Sequence, residues 1–167
     1  MRNFSTLILV FSCALSVHAG VHKHAHVHGS ASLQIAFEGL KGKIEFRSPS
    51  ESVLGFEHTP RSQVEKTQVA QVTSAFKEDL KALIQFETSL NCEATPINVG
   101  IKSKKNEKHS DFVAEYDVQC QKPLAGSQLT LDFRRFSAIE SLELTLLVDE
   151  LQKSSQIKKF PAQVPLR

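Results

Sequence analysis

The 167-residue sequence lacks several features that mark common classes of protein. Its 20 lysines and arginines are almost balanced by 18 aspartates and glutamates, and the net charge of +2 gives no indication of nucleic-acid binding. No run after residues 1–19 is apolar over enough positions to span a bilayer, so we expect no stable membrane insertion. The nucleophile elbow Gly-x-Ser-x-Gly, the Walker loop, the His-Glu-x-x-His motif and the dinucleotide-binding glycine motif are all missing. The sequence therefore predicts a protein that is not an enzyme.

Residues 1–19 have the organisation of a secretory signal peptide. A positive charge near the start is followed by a short apolar run, and Val17-His18-Ala19 resembles a cleavage site, with cleavage after Ala19. Cys13 could instead mark a lipoprotein signal, but Phe11 stands two positions before it, where such signals favour a small residue. We therefore expect an exported protein that loses this segment.

The next segment, residues 20–32, is an arm in which histidines alternate with other residues. An extended chain places alternate side chains on one side, roughly 7 Å apart along the strand. Neutral imidazoles are frequent metal ligands, and rings from two such positions can lean onto one ion. The arm is therefore predicted to collect metal ions, the alternative being a polar terminus without a ligand role. Its candidate ligands are His22, His24, His26 and His28.

The start of the mature chain offers a different kind of metal site. If cleavage follows Ala19, the mature protein begins Gly20-Val21-His22. A free amine, two backbone amides and an imidazole at the third position can form a square-planar nitrogen site, which suits Cu²⁺ or Ni²⁺ rather than Zn²⁺. Copper or nickel binding is therefore an alternative to zinc binding, and it requires this particular terminus.

Removal of the signal peptide leaves two cysteines, Cys92 and Cys120. An isolated pair in an exported chain is usually a disulfide, and we predict this bond. The alternative is a pair of thiolate metal ligands, but neither cysteine has the short Cys-x-x-Cys spacing of such sites. With both cysteines oxidised, the metal ligands would be histidine and carboxylate side chains.

Residues 33–167 are predicted to form a single α+β domain. Apolar residues alternate with polar ones in a hairpin with turn residues Glu38–Gly42, and again in about five strands of the second half. Between them, residues 62–86 have apolar positions three and four apart, which predicts an amphipathic helix of about six turns. Short connections favour antiparallel pairing. We therefore predict an antiparallel β-sheet with one long amphipathic helix packed on it, and a frayed tail after Pro161.

Two further histidines are candidate metal ligands within this domain. His58 lies in the loop Gly55–Pro60, and His109 begins a strand with Asp111 two residues later. Asp111 could bind the metal itself or hold the tautomer of His109. Read singly, each could also be an ordinary surface residue. Histidine and carboxylate ligands suit Zn²⁺, which takes roughly four, but they also suit Cu²⁺ and Ni²⁺.

The ordered set of motifs resembles the ZrgA-type periplasmic zinc uptake proteins of Gram-negative bacteria. The resemblance covers nearly the whole mature chain, although no single motif is decisive. Its parts are His24-x-His26-x-His28-Gly29, Ser48-Pro49, Gly55-Phe56-Glu57-His58-Thr59-Pro60-Arg61, Cys92, His109-x-Asp111-Phe112-x-Ala114-x-Tyr116, Cys120 and Phe133-x-x-Phe136.

This resemblance implies a periplasmic protein that binds Zn²⁺ and assists its import beside periplasmic or inner-membrane zinc transport components. By position, it favours the arm histidines, His58 and His109 as ligands. One segment departs from the pattern, because many relatives have a run of His and Asp where this chain has the cationic segment Lys102–Lys108. A cationic loop repels Zn²⁺, so a second site within that loop is not expected.

Overall fold

Strands are the most abundant regular structure in the computed structural model, which describes residues 29–103 and 109–167. The predicted signal peptide and the arm histidines His22, His24, His26 and His28 lie outside these residues. The elements in chain order are β1 (Ser30–Glu38), β2 (Lys41–Pro49), α1 (Ser50–Leu54), α2 (Gln63–Glu78), β3 (Ile84–Phe86), β4 (Glu93–Ser103), β5 (Ser110–Gln119), β6 (Gln128–Leu131), β7 (Ser141–Val148), β8 (Leu151–Ile157) and β9 (Ala162–Pro165), with short 3₁₀ turns at Leu80–Ala82 and Thr88–Leu90.

The strands are arranged in two sheets. A large sheet has six strands in the order β4-β5-β2-β1-β7-β8, and a small sheet has three in the order β3-β6-β9. Neighbouring strands pair antiparallel, except that β1 and β7 run parallel. Along β1, β2 and β7, side chains alternate between buried and more exposed positions, so the large sheet has one apolar face.

The prediction of an α+β domain with one long helix is wrong, because the described residues are 49% strand and 20% helix. Helix α2 has 16 residues and ends where Asp79 leaves helical geometry, at φ −130° and ψ 40°. Leu80 and Leu83 continue the apolar spacing, but they lie in and just after a 3₁₀ turn. A spacing of three fits both kinds of helix, so it could not mark the end of α2. Among the described residues, no helix combines the length and apolar character needed to cross a bilayer.

The core lies between the large sheet and a cover formed by α2 and the small sheet. Phe46 of β2 packs against Phe76 of α2 and against Phe133, with ring centroids 5.0 Å and 5.3 Å apart. Phe37 of β1 contacts Phe86 of β3 at 5.9 Å. Phe76 is the one side chain of α2 that is fully buried. The small sheet, which the sequence analysis did not predict, thus supplies much of the cover expected from a longer helix.

Of the predictions for the first hairpin and for the C-terminal tail, the structure confirms the first and corrects the second. The hairpin of β1 and β2 is confirmed, but its turn is Gly39-Leu40 and Gly42 lies inside β2. The frayed tail predicted after Pro161 is wrong, because β9 pairs with β6 and Val164 is buried. The two prolines suggested an irregular tail, but the short strand β9 follows Pro161 directly and ends at Pro165.

The predicted disulfide is confirmed, since Cys92 and Cys120 are bonded to each other. Cys92 directly precedes β4, and Cys120 directly follows β5. Because these strands are antiparallel neighbours in which Glu93 stands opposite Gln119, the bond joins two ends that already lie side by side. It therefore closes the end of the sheet at which β4 begins.

The candidate metal ligands of the domain lie at the opposite end of the strands of the large sheet. There β1 begins at Ser30, β2 ends at Pro49 and β5 begins at Ser110. Pro49 stands opposite Asp111, and the carbonyl of Gly29 accepts hydrogen bonds at the start of β7. We call this end of the sheet the site edge. It brings the beginning of the described chain, the loop after α1 and the residues before β5 to one side of the molecule.

Candidate metal centre

The loop between the two helices, residues 55–62, is fastened to the site edge. Helix α1 ends at Gly55, whose φ of 80° is left-handed and favours glycine. The backbone carbonyl of Glu57 then accepts a hydrogen bond from Ser110 Oγ at 2.7 Å. Ser110 Oγ also lies 2.9 Å from Ser50 Oγ, and both serines are buried. These hydroxyls therefore attach α1 and the loop to the first residue of β5.

The carboxylate of Glu57 contacts the imidazole of His109. The contact joins Glu57 Oε2 to His109 Nδ1, across 52 positions of sequence. The Glu57 side chain is only 12% exposed, whereas that of His109 is 55% exposed. A carboxylate accepts, so Nδ1 donates its proton and Nε2 is the nitrogen that carries the lone pair of the neutral ring. The carboxylate is therefore the inner partner of the pair and the imidazole the outer one.

His58 forms a second pair with a carboxylate, that of Glu65. Its Nδ1 lies 3.0 Å from the carbonyl oxygen of Thr59, which can only accept, so this nitrogen donates. Its Nε2 lies 3.8 Å from Glu65 Oε1, and its ring stacks on Phe56 with centroids 5.1 Å apart. In the neutral ring, the nitrogen that carries the lone pair is thus the one nearest to the carboxylate of Glu65.

Glu65 also caps the helix that follows. Its Oε2 accepts hydrogen bonds from the backbone N–H groups of Arg61 at 2.6 Å and Ser62 at 3.0 Å, while Ser62 Oγ accepts from Glu65 N at 3.1 Å. This is a reciprocal capping box at the start of α2. The N–H donors of Ser62 and Arg61, with a smaller contribution from His58, hold the pKa of the Glu65 carboxyl below its ordinary value of 4.5.

Asp111, the predicted acidic neighbour of His109, is engaged with a base on the adjacent strand. Its Oδ2 lies 3.4 Å from Arg47 Nε, and its side chain is 19% exposed. The positive charge of Arg47 therefore stands close to the site edge and is balanced there by Asp111. The carboxylate on Nδ1 of His109 belongs to Glu57, a residue that the sequence analysis had not selected.

The structure thus brings the domain's candidates into two pairs rather than one cluster. Glu57 contacts His109, and His58 faces Glu65. Within residues 29–103 and 109–167, no group of three or more His, Cys, Asp or Glu side chains lies close enough to hold one ion. Zn²⁺ takes roughly four ligands, so the described side chains supply only part of a coordination shell. The predicted ligands His22, His24, His26 and His28 lie outside the described residues.

Three residues of the site were missed by sequence reasoning, and two of them had a recognisable signal. Glu57 directly precedes His58 in a loop that already contained a candidate ligand. Glu65 follows Ser62 by three positions, which is the spacing of a capping box. Ser110 had no such signal, because a serine at the start of a strand is commonplace. Its partners on α1 and on the loop become visible only in the folded chain.

A comparison with known protein families shows the family of the chain. The sequence pattern of the ZrgA family zinc uptake protein matches residues 25–166. The chain belongs to the ZrgA family of zinc uptake proteins. The match begins within the histidine arm and covers nearly the whole chain, and the family description gives the chain a zinc-related role. A comparison with curated proteins found no match.

Proposed function

We propose that this ZrgA family protein is a periplasmic Zn²⁺-binding protein that assists zinc uptake without catalytic turnover. Zn²⁺ is held by histidine side chains, and the candidate ligands of the folded domain are His109 and His58, each in its own pair with a carboxylate. The observation that carries the proposal is the partly buried Glu57 carboxylate on Nδ1 of His109. Metal-binding histidines commonly donate their second ring nitrogen to a carboxylate, because this fixes the tautomer and raises the basicity of the other nitrogen.

The arm histidines supply the ligands that the domain lacks. Gly29, which follows the arm histidines and directly precedes β1, is held at the site edge because its carbonyl accepts hydrogen bonds from Glu140 N at 2.8 Å and Ser141 N at 3.0 Å. Strand β2 separates β1 from β5, so the starts of β1 and β5 are roughly 10 Å apart across the sheet. An extended segment of about seven residues reaches roughly 23 Å. Histidines between His22 and His28 can therefore reach an ion bound at His109.

Capture by imidazoles makes the affinity for Zn²⁺ depend on pH. A protonated imidazole has no lone pair for a metal, so binding releases protons and weakens as the pH falls below about 6. Calorimetric titration of the mature protein with Zn²⁺ at pH 7.5 and pH 5 tests this. We expect a marked loss of affinity at pH 5, and equal affinities would contradict binding by histidine. Release to periplasmic or inner-membrane transport components completes the proposed role.

Substitutions separate the domain ligands from the arm. We expect His109→Ala, His58→Ala and the triple substitution of His24, His26 and His28 by alanine each to weaken Zn²⁺ binding at pH 7.5. Asp117→Asn is the control, because Asp117 is exposed, pairs with Lys43 at 2.8 Å and lies near the far end of β5. Unchanged affinity in the arm variant and in both single variants would refute the proposed site.

Competition between metals tests the copper or nickel alternative. That alternative requires the free terminus Gly20-Val21-His22, so N-terminal sequencing of the exported protein is the first check. A terminal square-planar site would bind Cu²⁺ with a visible absorption band and would be lost when one residue is added before Gly20. Zn²⁺ binding at the site edge would survive that addition. Loss of all zinc binding in the extended protein would favour the terminal site.

A further inference from the structure

Glu57 carries a feature that zinc binding by histidine does not by itself require. Its side chain is only 12% exposed, and its Oε1 atom is buried without a hydrogen-bond partner among the described residues. Burying an acceptor in this way costs free energy, and a charged carboxylate is seldom buried unless a partner compensates. The partner here is the imidazole of His109 on Oε2. The carboxylate is therefore held in a costly position in which its Oε2 contacts His109.

The order of burial indicates which member of the pair meets an ion from solvent. His109 is 55% exposed and Glu57 lies behind it at 12%. Nδ1 of His109 is occupied by the carboxylate, so Nε2 is the nitrogen that can bind a metal in the neutral ring. An ion that approaches the site edge therefore meets the imidazole, and Glu57 acts on that ion through His109.

We infer that Glu57 is a positioning residue that holds His109 in the Nδ1–H tautomer with Nε2 directed at the metal, and that Ser110 holds Glu57 in place. The inference rests on the proposed function and deepens it, because it assigns roles to two residues that do not touch the ion. Such partners of a ligating histidine typically change metal affinity by about 10- to 100-fold when they are replaced.

Ser110 links the backbones of the two partners. It follows His109 directly in the chain, and its hydroxyl donates to the backbone carbonyl of Glu57 at 2.7 Å. The side chain of Ser110 therefore holds Glu57, and the peptide bond before Ser110 joins it to His109. Ser50, 2.9 Å from the same hydroxyl, adds the end of β2 and α1 to this anchor. A pair fixed at both ends loses little conformational freedom when the metal binds.

The test measures both zinc affinity and the tautomer of His109 in the full mature protein. Calorimetry with Zn²⁺ gives the affinity, and nitrogen chemical shifts of the metal-free imidazole give the tautomer. Glu57→Gln keeps the size and removes the charge, so we expect affinity to fall by about 10- to 100-fold. Glu57→Ala should also move the ring of His109 from the Nδ1–H form towards the Nε2–H form. The control is Glu87→Gln, since Glu87 also accepts a backbone hydrogen bond, from Gln128 N at 2.8 Å.

Ser110→Ala provides a second variant that leaves both members of the pair in the chain. We expect a smaller loss of zinc affinity than in Glu57→Gln, together with a mixture of His109 tautomers. Circular dichroism establishes that each variant is folded. If both Glu57 variants bind Zn²⁺ as the wild type does and the tautomer is unchanged, the inference is wrong. If Glu57→Gln abolishes binding while the tautomer stays unchanged, Glu57 is a direct ligand, which also overturns it.

The same experiment distinguishes this inference from the proposed function. If His109→Ala leaves zinc affinity unchanged, the proposed ligand is wrong and the positioning role falls with it. If His109→Ala weakens binding but Glu57→Gln does not, the proposed function stands and only the positioning role is overturned.

Discussion

The phenyl ring of Phe37 lies over Gly42, its direct neighbour on the paired strand. A Cβ atom at position 42 would overlap Cδ2 of this ring and the backbone carbonyl of Ala36. Glycine is therefore required inside β2 by close approach, although glycine usually weakens a strand. The same ring contacts Phe86 of the small sheet. Phe37 thus occupies the space next to Gly42 and packs the large sheet against the small one.

Gly42→Ala is expected to destabilise the protein. The added methyl group must displace a buried ring or a paired backbone, which typically costs about 1–3 kcal/mol. Urea denaturation of the two proteins measures the difference. A double-mutant cycle with Phe37→Ala isolates the clash, since the cost of Gly42→Ala should be smaller when the ring is absent. Part of the cost should remain because Ala36 O is still close, and an unchanged free energy of unfolding in Gly42→Ala would disprove the account of this pair.

Glu65 should make the stability of α2 depend on pH. Its pKa is lowered in the folded state by the N–H groups of Ser62 and Arg61, so the folded state favours the ionised carboxylate. The stabilisation is present above the ordinary pKa of 4.5 and is lost as the pH falls through the lower folded value. We expect Glu65→Gln to be less stable than wild type at pH 6, with a difference that shrinks towards pH 3.

Denaturation curves at several pH values check this expectation. Glu150→Gln, in the exposed turn between β7 and β8, is a suitable control because it removes a carboxylate without removing a cap. A difference between Glu65→Gln and wild type that stays constant from pH 6 to pH 3 would show that the capping contact does not favour ionisation.

The disulfide should contribute to stability without contributing to metal binding. The bond between Cys92 and Cys120 closes a loop of about 29 residues, for which the chain-entropy model gives roughly 3.5 kcal/mol. It lies at one end of β5, and His109 precedes the other end, about 35 Å away along the strand. Replacing both cysteines by serine should lower the free energy of unfolding and leave zinc affinity unchanged. A loss of affinity in the folded variant would mean that the disulfide shapes the metal site.

Two acidic residues on β5 offer a matched test of the local charge. Asp111 balances Arg47 at the site edge, and Asp117 balances Lys43 six residues further along. Asp111→Asn leaves the guanidinium charge close to the metal, so zinc affinity should fall by several-fold at low salt and recover at high salt. Asp117→Asn removes a similar charge roughly 20 Å away, beyond the Debye length of about 10 Å at 0.1 M salt. Equal effects of the two substitutions would indicate a general charge effect instead.

Alternation of side chains predicted most of the large sheet, because a half-buried strand must alternate whatever its partners are. It could not reveal that β1 pairs parallel with β7, since pairing joins residues that are distant in sequence. The end of α2 was predicted too late because Leu80 and Leu83 keep a helical spacing while they pack in a 3₁₀ turn and beside β3. The spacing of apolar residues indicates which side chains are buried. In this segment it could not distinguish an α-helix from a 3₁₀ turn followed by a strand.

The site was predicted as separate candidates, and their partners were not. His58 and His109 could be selected because histidine is itself a metal ligand, whereas Glu57 resembled any loop carboxylate. Glu57 and His109 are 52 positions apart in sequence, and their contact is supported by Ser110 and Ser50. Neither serine has a sequence feature that would mark it as part of a site. The chemistry of a residue is thus visible in sequence, but its orientation and partners follow from tertiary packing.

A crystal structure of the mature protein with Zn²⁺, with anomalous diffraction recorded at the zinc absorption edge, tests the central claim most directly. The account predicts an anomalous peak at the site edge, in contact with Nε2 of His109 and with at least one histidine from His22 to His28, while Glu57 remains on Nδ1. A zinc ion bound only to arm histidines, far from both His58 and His109, would contradict it and would leave the arm as the metal site.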